Sequence, residues 1–137
     1  MKKKTVFIAA IIVALLVFLA LGAYVLFDNI FPKAAPIKQL EISMIESVRL
    51  YDNENKDIVI EDEDLQKLIN YINMAVPTRT ISVNDYPVVR PYYVVEFQLA
   101  ERFIRHMIYE DNGTAYVEIP YEAIYEIDRE AVEILEQ

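Results

Sequence analysis

Few residues in this chain have the types and spacing that could do chemistry. His106 is the single imidazole in the sequence and there is no cysteine. Strand alternation sets His106 between Arg105 and Met107, with no carboxylate placed to orient it, so a structural or surface role is expected. A nucleophilic triad needs a base beside a hydroxyl, and Ser82 has no such neighbour in the sequence. A small hydrolase built here would draw on Asp85, His106 or Glu118. The acidic run Glu61-Asp62-Glu63-Asp64 lacks the spaced oxygens and central glycine of a calcium loop. It reads instead as helix-start electrostatics, and neither a metal nor any other cofactor is expected.

Two stretches are better candidates for binding than for catalysis. Pro77 to Pro87 (PTRTISVNDYP) concentrates hydroxyls, an amide, a carboxylate and Arg79 in one irregular segment, and long irregular segments often carry function. Ser, Asn and Asp also bond their own backbone in turns, which is the plainer account of the same residues. Tyr116 to Ile127 (YVEIPYEAIYEI) gathers three tyrosines around Pro120. Exposed, they would form an aromatic patch of the kind enriched at interfaces; buried, they are core. The candidate contacts are Arg79, Ser82, Asn84 and Asp85 from the first stretch, with Tyr121 and Tyr125 from the second.

The elements that must position these residues follow from periodicity. Gln39 to Tyr51 reads as a strand carrying Ile42, Met44, Val48 and Leu50, followed by the turn Asp52-Asn53-Glu54-Asn55 and a short returning strand over Lys56 to Ile60. Asp62 to Met74 is the clearest helix outside the N-terminus. Leu65, Leu68, Ile69, Ile72 and Val76 form its apolar stripe, Asp62 is its expected cap, and Pro77 marks its end. Residues 77–91 are irregular. Tyr92 to Leu99 alternates, with Tyr93, Val95, Phe97 and Leu99 on one face; Arg102 to Glu110 is a second strand. Asp111-Asn112-Gly113 turns it into a third, Thr114 to Ile119, which Pro120 stops. Asp128 caps a closing helix that presents Ala131, Ile134 and Leu135. The expected fold is α+β, an antiparallel sheet with helices on one face.

The N-terminus fixes where this domain works. After Lys2-Lys3-Lys4, residues 5–27 carry no charge, and at about 1.5 Å per residue a helix of that length spans roughly 34 Å, against about 30 Å of hydrocarbon. A cleaved signal peptide is the rival reading, with Ala20 and Gly22 before Ala23 as the small-residue site. The apolar run is longer than such signals use and continues through Tyr24-Val25-Leu26-Phe27. The expected organisation is a basic cytoplasmic tip at 1–4, a single-pass transmembrane anchor at 5–27, a tether at 28–38 stiffened by Pro32 and Pro36, and an extracytoplasmic domain at 39–137. Cleavage near Gly22 would instead release a secreted domain.

Beyond residue 32 the chain holds ten Lys/Arg against 21 Asp/Glu, a formal charge of −11. Such a surface repels nucleic-acid phosphate, so no nucleic-acid partner is expected; it allows attraction to cationic partners, and the plainer account is that acidity keeps an extracellular domain soluble.

The helix ending Asn70-Tyr71-Ile72-Asn73, the P-T-R-T-x-S-x-N-D-x-P segment and the Y-x-E-x-P-Y-x-x-I-Y-E-I run together resemble domain of unknown function family 5301, over roughly residues 40–135. The resemblance implies a small exported or membrane-tethered single domain of Gram-positive bacteria, and it brings no catalytic residues. The leading expectation is therefore a non-enzymatic membrane-anchored domain that binds a peptide or protein at the cell surface, in an accessory or immunity-like role. The rival classes are a small extracytoplasmic hydrolase and a structural subunit of a membrane complex, for which Ala9, Ala10, Ala14, Ala20 and Gly22 offer a loose close-packing pattern.

Overall fold

The computed structural model describes residues 2–137. The chain divides into two units, residues 1–33 and 34–137. The first is the helix α1, Lys2–Ile30. Within it Val6–Ile30 is long and apolar enough to cross a membrane, by length and composition, so the apolar window runs past the expected boundary at Phe27.

The second unit is α+β. Its six strands are β1 (Ile45–Asp52), β2 (Val76–Pro77), β3 (Tyr92–Leu99), β4 (Arg102–Asp111), β5 (Thr114–Ile119) and β6 (Ala123–Glu126). They form one sheet in the order β1-β3-β4-β5-β6-β2, and every neighbouring pair is antiparallel. Helices α2 (Asp62–Met74) and α3 (Glu130–Leu135) pack on one face.

Alternation decides the two faces. Val95, Phe97, Ile108 and Val117 point to the helices and join Leu68, Ile69 and Ile72 of α2 with Ala131, Val132 and Leu135 of α3 in the main core. Each fully buried aliphatic side chain of this kind contributes about 1.5–3 kcal/mol. Tyr51, Tyr92, Val94, Met107 and Tyr109 point the other way and build a second, smaller cluster. The Asp111-Asn112-Gly113 turn joins β4 to β5 with φ values of 51° at Asn112 and 81° at Gly113, the twist a two-residue hairpin needs.

Several local expectations are corrected. Residues Ile42–Met44 form a 3-10 turn rather than the start of a strand, and Ile42 and Met44 are exposed. The cause lies just before them. Asn73 at the end of α2 accepts from the Leu40 backbone N–H at 2.8 Å and donates to its carbonyl at 3.0 Å, drawing Leu40 into the core and leaving 41–44 to turn outward. Lys56 to Ile60 is no strand beyond a single bridge between Tyr51 and Asp57. Asp52 Oδ1 accepts from the backbones of Glu54 and Lys56 and winds that turn tightly.

The residue flanking α2 is Glu61, without a side-chain cap bond, so Asp62 is the first helical residue rather than its cap. Val76 belongs to β2, not to the helical stripe. The residue flanking α3 is Arg129, without a side-chain cap bond, while Asp128 one residue earlier accepts from the Glu130 N–H through Oδ1 at 3.0 Å. Within the segment read as a tether, Ile37 is buried in the core, and Ala34 donates to the Thr78 carbonyl at 3.0 Å. Residues 34–38 are thus held to the domain.

β6 and β2 were not legible as strands. Pro120 ends β5, but the chain reverses at once through Pro120 and Tyr121, with Glu122 N–H donating to the Ile119 carbonyl at 3.1 Å. β6 then pairs back on β5 and takes β2 along its far edge.

Candidate functional site

Residues 78–91 cross the helix-free face of the sheet as a strap. Its start continues the edge pairing: Thr78 donates to the Ile124 carbonyl and Ile124 donates to that of Thr80. Ser82 then turns inward. Its Oγ donates to Glu118 Oε1 at 2.6 Å, and both side chains are buried, at 2% and 4% exposure. Glu118 lies opposite Met107 in the β4–β5 register, so it projects from the strap side. Tyr109 is buried on the same face. Burial, and then the Glu118 charge, push the Tyr109 hydroxyl well above the ordinary tyrosine range.

A second polar group anchors the strap's middle. Tyr51 Oη donates to Glu96 Oε1 at 2.7 Å, and Arg105 donates to the same oxygen through Nε at 3.1 Å and Nη2 at 2.9 Å. The guanidinium lies 5.7 Å from the Tyr86 ring centroid and 5.6 Å from that of Phe103. Tyr86 in turn stacks on Tyr92 at 6.0 Å. Burial first, then Glu96, push the Tyr51 hydroxyl up to about 12. Pro87 and Val89 face inward, and the Arg90–Pro91 peptide that ends the strap is cis.

With these anchors made, the strap holds Ile81, Val83 and Val88 outward at 69%, 70% and 84% exposure. Asp85 reaches sideways to Tyr121, whose hydroxyl donates to Asp85 Oδ1 at 2.7 Å. That bond, ahead of the small burial, raises the Tyr121 hydroxyl above its ordinary range. Tyr121 is exposed and sits at φ +60°, a left-handed conformation that costs a bulky residue roughly 1–2 kcal/mol.

The proposed contact residues therefore separate. Asp85 and Tyr121 meet at the surface with Asn84 exposed beside them, whereas Ser82 on the same strap is an internal anchor and Arg79 is half-buried at its start. Tyr125 does not join them. Its register opposite Val117 turns it to the helix side, where it is buried and donates to the Ala35 carbonyl at 3.1 Å. The tyrosine run is thus core at Tyr125 and surface at Tyr121.

The hydrolase trio is divided by the sheet. His106 pairs with Val95 and faces the helices, edge-on to Phe97 at 5.7 Å between centroids, whereas Asp85 and Glu118 lie on the strap side. Burial pushes the imidazole down to about 4. Of the acidic run, Glu63 and Asp64 pair with Lys67 at 3.0 and 3.1 Å, and among the described residues no three His, Asp or Glu converge as metal ligands. The Tyr51–Glu96–Arg105 group was not foreseen. Its signal was available, because Glu96 interrupts the apolar run of β3 and a buried carboxylate demands a partner.

The unit's fold is similar to that in an NMR structure of a protein from Ruminococcus gnavus, with a TM-score of 0.55 and 26% identity, covering 70% of this chain and 97% of that one. No curated protein matches the chain. Residues 29–126 match the model of DUF5301, described as "Domain of unknown function (DUF5300)", and the chain belongs to that family.

Proposed function

We propose that this chain is a single-pass membrane protein whose domain, held outside the cytoplasm by α1, binds a peptide or protein partner without catalysing a reaction. The observation that carries the reading is Tyr121, an exposed aromatic in a strained backbone conformation, tied by Asp85 to a strap that displays Ile81, Val83 and Val88. Strain persists where the surroundings impose it, and it concentrates at functional positions. Apolar side chains displayed on a pinned segment are pre-organised, which lowers the ordering cost of association. The acidic domain favours a cationic partner through long-range attraction, as an accessory or immunity role against a basic peptide would require. The three lysines at 2–4 support a cytoplasmic N-terminus.

Photo-crosslinking in intact cells tests the reading. A photoreactive residue at Val83 or Val88 of the full chain is expected to give a discrete adduct, lost in Asp85→Ala, while the same residue at Gln66 on the exposed side of α2 gives none. Equal adducts from all three positions, or none from the strap, would overturn it.

A further inference from the structure

β4 is longer than the strand beside it. Its pairing with β5 begins only at Met107, opposite Glu118, whereas its pairing with β3 runs from Arg102 through Tyr109. Residues 102–106 therefore have a neighbour on one side and an unpaired backbone edge on the other. That edge borders a cavity of about 620 Å³, within the size range of ligand sites.

All five consecutive residues from Arg102 to His106 line this cavity. Side chains of a strand alternate between faces, so a cavity on one face would be lined by every second residue. Five in a row mean that the main chain itself forms the wall. The opposite wall is Ile119 and Pro120, where β5 ends and the chain turns away, and Ile37 closes a third side. The result is a slot in the sheet, with unpaired backbone groups on one side and, on the others, the apolar Ile37, Leu40, Ile119 and Pro120 rimmed by Lys38 and Glu122.

Two further observations point to an occupant. His106 lies at the inner end of the slot, buried, with its Nδ1 lacking any hydrogen-bond partner among the described residues. A sealed polar atom without a partner is uncommon and costly. At the outer end Lys38 and Arg102 border the cavity, and neither makes an ion pair among the described residues. Glu122 is the one carboxylate in the lining, against Lys38 and Arg102 at this end, so in a domain of net negative charge this is a local cationic spot, matched by a carboxylate.

We propose that the slot beside residues 102–106 of β4 takes an extended peptide segment as an added strand, with a carboxylate of that peptide seated against Lys38 and Arg102. Main-chain pairing supplies the affinity and the apolar walls take the peptide's inward side chains, the logic of strand addition at an open edge. The slot shares Arg105 with the strap's anchor, and its Pro120 and Glu122 flank Tyr121, but its backbone edge does not depend on the strap having a partner.

The test uses the full chain, isotope-labelled in detergent micelles, titrated with acetyl-Val-Thr-Val-Thr-Val-Glu-amide and with acetyl-Val-Thr-Val-Thr-Val-Gln carrying a free terminal carboxylate. Saturable shifts centred on the amides of Arg102 to His106 and on the His106 ring are expected, with slower amide exchange along that edge. N-methylation of alternate peptide residues should weaken binding at least tenfold, and the uncharged Gln-amide peptide should bind several-fold more weakly. Lys38→Glu and Arg102→Glu, both at exposed positions, should abolish that preference while leaving the remaining spectrum unchanged. Tighter binding by one carboxylate peptide identifies the source as a side chain or a chain terminus, and either result supports the proposal. It is overturned by the absence of saturable binding at millimolar peptide, by indifference to N-methylation, by shifts centred on β1 or the strap, or by concentration-dependent shifts at 102–106 without peptide, which would assign the edge to a second copy of the chain.

Discussion

Ser82 Oγ donates to Glu118 Oε1 at 2.6 Å across the sheet's helix-free face, and both groups are sealed from water. This bond is the inner pin of the strap. Removing a partner from a buried polar group costs about 1–3 kcal/mol, more when the group is charged. Ser82→Ala should therefore lower stability by about that amount and loosen the strap selectively. Hydrogen exchange is the measurement: amides from Val83 to Val89 should exchange faster while those of α2 keep their protection. Unchanged exchange in the strap would deny the pin its role.

The group around Glu96 makes a separate prediction. One carboxylate oxygen accepts from Tyr51 and twice from Arg105, so truncation of one donor leaves the acceptor partly served. Tyr51→Phe should cost about 1 kcal/mol, and combining it with Arg105→Ala should depart from additivity, since the two donors share an acceptor. Ultraviolet titration gives a second reading. Tyr51, pushed up to about 12, should stay largely un-ionised at pH 11, and Arg105→Ala should raise it further by removing a nearby positive charge.

How much of this was legible in the sequence depends on the range of the interaction. The α2 stripe, the alternation of β3 and the Asn112–Gly113 turn are local patterns, and each appears in the structure where its pattern lies. The pairing of Ser82 with Glu118 spans 36 residues and depends on which face each strand presents. One residue of register would exchange the faces, so nothing local announces the pair. Tyr121 and Tyr125 illustrate the same limit. They lie in one run, yet a turn with φ +60° at Tyr121 sends one to the surface and the other into the core. Leu40 illustrates a third case: its docking needs Asn73, 33 residues away, so the strand expected from Gln39 begins only at Ile45.

His106 gives the pH prediction. Burial lowers its folded-state value from 6.5 to about 4, so over that window the unfolded chain binds a proton that the folded chain refuses. Stability is fully present above about pH 6.5 and is lost as pH falls toward 4. By linkage the loss amounts to about 2 kcal/mol between pH 7.5 and 5. His106→Leu should flatten the stability profile between pH 5 and 6.5, where carboxylate protonation contributes less. A variant whose profile parallels that of the natural chain would show that the imidazole takes up its proton in the fold as it does in the unfolded chain.

Under the proposed function, Tyr121 affects stability and binding with opposite signs. Glycine visits the left-handed region without the penalty a side chain incurs, so Tyr121→Gly should recover part of the roughly 1–2 kcal/mol of backbone strain and forfeit the exposed bond to Asp85, which contributes less. A thermal midpoint equal to or above that of the natural chain is expected. Under the proposed function the same substitution removes the aromatic that the strap's partner would meet, and crosslinks from Val83 should weaken. Tyr121→Phe separates the two contributions: it retains the ring and the strain but not the hydroxyl, so it should preserve most of the crosslinking while lowering the midpoint slightly. If Tyr121→Gly is clearly less stable and crosslinks as well as before, Tyr121 acts as a structural support for the turn and the partner surface must lie elsewhere on the strap.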